Sequence, residues 1–159
     1  MPLRECLRIR REISRNLCFH RHRAAHRCLF PRDIVVFFMN EEQAFSLGVR
    51  YFNQRRFFEA HDVWEELWME TSGQQRVFYQ GLIQTAIAYY HAENQNPKGA
   101  AHLIHRAIEK LELFRPSSEG VNLEQLLPVL HRHAEFFDAC LLAGTIALPS
   151  DIPLLGEHH

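Results

Sequence analysis

The stretch Gln74–Glu93, QQRVFYQGLIQTAIAYYHAE, carries apolar side chains on every side of a helical wheel: Val77, Phe78, Leu82, Ile83, Ile87 and Tyr89. A surface helix shows one apolar stripe, whereas a helix apolar all round is enclosed by others, so this segment is the expected centre of a helical bundle. Twenty residues without Pro and ending in polar Glu93 also exceed the length of an ordinary strand.

Working outward, the apolar spacing stays helical from Met39 onward. An N-cap at Asn40, with Glu41 and Glu42 in the first turn, opens a helix that presents Phe45, Val49 and Phe52 on one face and ends near Asn53. A second helix runs from about Arg56 to Glu70 and stops at Thr71-Ser72-Gly73. Past Glu93, Asn96 caps and Pro97 opens a fourth helix with Ala100, Leu103, Ala107, Leu111 and Phe114 in register, ending before Pro116. Asn122 opens a last helix that kinks or restarts at Pro128 and carries Leu127, Leu130, Phe137, Leu141 and Leu142; the tail from Pro149 reads as loose. The expected fold is all-α, a compact bundle of about five helices built from two helical hairpins plus a C-terminal helix. Leu47, Gly48, Tyr51, Ala60 and Trp64 fall at tetratricopeptide offsets in the first hairpin, but no second copy follows.

Three segments follow from composition: a basic extension at 1–38, the helical domain at 39–145 and the tail at 146–159. The extension holds nine Arg against three acids, and residues 39–159 hold nine Lys or Arg against sixteen acids, so a net charge of -1 conceals +6 followed by -7. A translation start at Met39, an organelle-targeting peptide and a basic arm for nucleic acid or anionic lipid are the alternative readings of the extension. The spacing of Cys18, His20, His22, His26 and Cys28 matches neither paired zinc knuckle nor two-Cys, two-His finger. The acidic remainder gives no reason to expect nucleic acid. No apolar run reaches the roughly 18–20 residues of a membrane span. With Cys140 the one thiol after Met39, the cytoplasm is the expected compartment.

The chemistry-bearing residues concentrate in Phe57–Trp68, FFEAHDVWEELW. At 100° per residue, Phe57, His61, Trp64 and Trp68 share a stripe with Glu65 at its edge, while Glu59, Asp62 and Glu66 turn towards the other side. On the central helix Gln80, Gln84, Ile87 and His91 form a matching stripe. Buried amides and imidazoles need hydrogen-bond partners, so His61, Glu65, Gln80, Gln84 and His91 are expected to form one polar cluster in which Glu65 orients and charges His61 or His91. His61, Glu65 and His91 are the candidates for catalysis or for a divalent metal; Glu59, Asp62, Trp68, Gln80 and Gln84 are the candidate binding residues. His102 and His105 are expected on the surface. No HExxH, ExxH, CxxC, phosphate-loop or dinucleotide motif is present, and no cofactor is implied beyond a divalent metal.

The two segments FNQRRFFEAHDVWEELW and FYQGLIQTAIAYYHAENQNPKGAAHLIHRAIEKL resemble domain-of-unknown-function family 309 over roughly Phe45–Phe114. The resemblance implies an all-helical intracellular protein and supplies no reaction. The family usually carries Glu after its His where this chain has Asp62, a shorter carboxylate. Two functions follow as alternatives: a non-catalytic helical binding or scaffold module shaped by the polar cluster, or a metal-assisted or acid/base enzyme at His61 and Glu65. A protein partner or a homodimer is the expected company, with Tyr79 and Phe136 as candidate exposed contacts.

Overall fold

The computed structural model describes residues 39–156. The readings placed on residues 1–38, including the Cys/His set, and on 157–159 lie outside the described residues. Among the described residues five helices follow in chain order: α1 (Glu41–Asn53), α2 (Phe57–Glu70), α3 (Gly73–Glu93), α4 (Pro97–Leu111) and α5 (Leu123–Ala143). α3 packs on both α2 and α4, α1 closes on α2, and α5 closes on α4. The fold is thus the expected all-α bundle of two hairpins and a C-terminal helix, with α3 at its centre. A single 3-10 turn (Glu112–Phe114) and the strands β1 (Ser117–Ser118) and β2 (Val121–Asn122) fill the link to α5. Two-residue strands leave no alternation for a sequence reading to detect.

Side chains fix where the helices begin. Asn40 Oδ1 accepts from the Gln43 backbone N–H at 2.8 Å while Gln43 Oε1 accepts from the Asn40 N–H at 3.2 Å, a reciprocal capping box. Asn96 and Asn122 cap α4 and α5 in the same sense, accepting from Gly99 N–H at 3.0 Å and Gln125 N–H at 3.1 Å.

Rings dominate the core. Phe52 and Phe57 meet edge-on at 5.3 Å across the α1–α2 turn, and both pack on Tyr89 of α3, at 5.9 and 5.3 Å. Trp64 is fully enclosed, donates its indole N–H to the Phe45 carbonyl at 3.3 Å, and lies where a Cβ on Gly48 would stand, so α1 approaches α2 only because residue 48 is glycine. Each such side chain contributes roughly 1.5–3 kcal/mol through its removal from water.

Four expectations are corrected. α5 runs unbroken through Pro128; the ring removes only the one backbone bond that residue 128 would donate, so the helix does not restart. Leu142 is almost wholly exposed, because five residues beyond the buried Phe137 is about 140° round the helix, and Leu141 is exposed with it. Tyr79 is fully buried rather than available to a partner: its hydroxyl donates to Glu41 Oε1 at 3.0 Å and accepts from Gln75 at 2.9 Å. The tail is not loose as far as residue 156. After Gly144, at φ 72, the chain doubles back, Ile146 and Leu155 are buried, and Asn53 on α1 clasps the Leu155 backbone with bonds of 2.9 and 2.8 Å. Its apolar residues interrupted by Pro149 and Pro153 have no helical or strand period, which hides their burial from a pattern reading.

Candidate functional site

α2 and α3 form an antiparallel pair whose outer side holds most of the sequence-predicted residues half-buried. Phe58 on α2 packs against Tyr90 on α3 at 5.2 Å, and at the opposite end the Arg76 guanidinium stacks 3.7 Å above the Trp68 ring. Between these two contacts stand His61 and Glu65 on α2 and Gln80, Ile83, Gln84 and Ile87 on α3.

His61 is held from below by the Phe58 ring at 5.7 Å and from the side by Asp62, whose Oδ1 lies 3.1 Å from Nδ1. Asp62 therefore meets the histidine while its side chain stays 47% exposed to solvent. Glu65 Oε2 lies 3.7 Å from Nε2, an ion-pair distance but longer than a hydrogen bond; the two side chains are 18% and 24% exposed. A ring nitrogen with a carboxylate beside it on either edge is an arrangement that can pass or hold a proton, or meet a polar group from outside.

His91 does not join them. Its Nδ1 accepts from the Asn96 amide at 3.1 Å, and the ring lies on Gly99, where a Cβ would stand 2.7 Å from Cγ. Burial pushes its pKa down, the opposite of the charging by Glu65 expected from the stripe. Among the described residues no three His, Cys, Asp or Glu side chains converge as a metal would require. Of the binding candidates, Glu59 is paired with Arg56 at 2.9 Å, Trp68 lies beneath Arg76, and Gln80 is half-buried one turn before Gln84. Gln84 stands apart: its Oε1 is the one buried side-chain polar atom among the described residues without a hydrogen-bond partner. His102 and His105 are exposed as expected, and His105 meets Asp138 at 2.9 Å.

Sequence reasoning missed a second polar chain. The Tyr89 hydroxyl lies 2.8 Å from His133 Nδ1, and His133 Nε2 lies 3.0 Å from Asp151 Oδ1, with Arg132 also 3.1 Å from Asp151. Burial pushes the Tyr89 phenol far above its usual range, and the hydrogen bond from His133, reinforced by Arg132, holds the Asp151 carboxyl down at about 2. These residues come from α3, α5 and the tail, so no local spacing signals them; with Tyr89 and His133 enclosed, the chain pins the tail to the bundle. No helix among the described residues is long and apolar enough to cross a membrane.

A protein of Bacillus subtilis (strain 168) described as "Uncharacterized protein YpuF" is 31% identical to this chain over 104 residues, which are 64% of this chain and 60% of that protein. The chain thus spans less than two thirds of the length of that curated relative. Residues 45–103, which contain His61, Glu65, His91 and all the candidate binding residues, match the family described as Domain of unknown function (DUF309), the same family that the α2 and α3 motifs resemble.

Proposed function

We propose that the chain is a non-catalytic helical binding module whose contact surface is the outer side of α2 and α3. The ring-rich outer side of the pair, with Arg76 stacked on Trp68, carries this reading. Gln84 Oε1 is enclosed beneath that side without a donor, at a cost on the order of 1–3 kcal/mol. Around it stand the groups that recur at contact surfaces: the half-buried rings of Phe58, Trp68 and Tyr90, and an arginine stacked on an indole. In this reading the α1–α2 hairpin, with Gly48 against Trp64, is a tetratricopeptide-like support for that side, and the polar groups of α2 fix its shape. The reducing cytoplasm is the expected place of action, in keeping with Cys140 as a free thiol.

The test is Gln84→Leu, which removes the lone acceptor and keeps the volume. Urea denaturation at low micromolar protein is expected to show the free chain stabilised by about 1 kcal/mol. A loss of stability would show that Gln84 serves the bundle itself, and would end the binding reading.

A further inference from the structure

Building on that reading, we propose that the occupant of the α2–α3 outer side is a second copy of this chain, docked with its helices antiparallel about a two-fold axis. A two-fold contact requires a surface complementary to itself. α2 offers one: Phe58, His61, Glu65 and Trp68 are spaced 3, 4 and 3 residues apart, so the order aromatic, polar, polar, aromatic is the same from either end, centred on residue 63. Antiparallel pairing about that centre sets the His61 imidazole, a donor, opposite the second copy's Glu65 carboxylate, an acceptor, and does so twice. It also sets Phe58 opposite Trp68.

The geometry of α3 independently puts the axis in the same place. Phe58 lies beside Tyr90 and Trp68 beside Arg76, so residue 63, midway along the α2 stripe, is level with residue 83 on α3. Residue 83 is also the midpoint of α3.

The experiment is sedimentation equilibrium on the full chain and on two variants, His61→Glu and Glu65→Lys, with circular dichroism to verify their folds. The parent is expected to dimerise at tens of micromolar (~) or below. His61→Glu sets carboxylates opposite each other at two places and Glu65→Lys sets an ammonium opposite the imidazole at two places, so each homodimer should weaken by about tenfold or more. An equimolar mixture of the two should recover a heterodimer near parental affinity, because one contact then joins a carboxylate to an ammonium and the other restores the imidazole–carboxylate pair, although neither chain has regained its own i, i+4 pair. If a variant fails to fold, Trp68→Glu, which sets a carboxylate against the second copy's Phe58 beside its own Arg76, takes its place and is expected to abolish the dimer. A monomeric parent at about 100 micromolar, single variants that dimerise like the parent, or a mixture no tighter than its components overturns the proposal. A monomeric parent with a stabilised Gln84→Leu variant removes the second copy as occupant and leaves the binding surface standing; a destabilised Gln84→Leu removes both.

Discussion

His91 shows how one hydrogen bond sets a histidine's protonation and through it a response to pH. The Asn96 side chain uses its oxygen to cap α4 and its amide N–H to reach His91 Nδ1, which must then be free of a proton. Burial works in the same direction by lowering the pKa from the ordinary 6.5. The unfolded chain therefore binds more protons than the folded one, and stability rises with pH over this range. The contribution is complete above about pH 6.5 and is lost as pH falls through the lower, folded value. Thermal melts between pH 7 and pH 5 should fall less steeply for His91→Gln, which retains an acceptor but does not titrate, than for the parent. Equal slopes would show that His91 is not linked to folding. The stripe Gln80, Gln84, Ile87, His91 was legible from spacing alone, but the partnership with Glu65 read from it was wrong for His91, because Asn96 lies in the following turn, beyond the reach of helical periodicity.

Both hairpins use the same reversal. After α1 the Arg55 N–H bonds to the Phe52 carbonyl and Arg56 N–H to Tyr51; after α3 the Gln95 N–H bonds to Ala92 and Asn96 N–H to His91. In each the pivot residue is left-handed, Arg55 at φ 58 and Gln95 at φ 56, although neither is glycine. A left-handed non-glycine residue costs about 1 kcal/mol relative to glycine, so Gln95→Gly should stabilise the chain by up to that amount in thermal denaturation. A lower melting temperature would mean that the Gln95 side chain compensates for its backbone. The helices themselves were legible because Asn40, Asn96, Pro97 and Asn122 announce their starts and the apolar stripes their extents. The pivots were not, since the usual signal for a left-handed stop is a glycine and neither position has one.

At the scale of the molecule, the return of the tail decides how the ends of the bundle hold together. Leu155 is enclosed and its backbone is clasped by Asn53, 102 residues earlier, while Asp151 engages Arg132 and His133. Leu155→Ala should cost about 2–4 kcal/mol in urea denaturation, as for other enclosed leucines. A cost under about 0.5 kcal/mol would mean that the segment docks without contributing to stability. Contacts of this kind join residues far apart in the chain and leave no periodic trace, which is also why the Tyr89–His133–Asp151 chain was illegible. The two tryptophans, both on α2, stand in unlike surroundings: Trp64 is sealed in the core with its N–H on the Phe45 carbonyl, and Trp68 is capped by Arg76 at the edge of the α2–α3 outer side. One helix therefore carries two optical reporters. Emission from Trp64 follows the opening of α1 from α2, emission from Trp68 follows coverage of the outer side, and a Phe replacement of either indole leaves the other signal to be read alone.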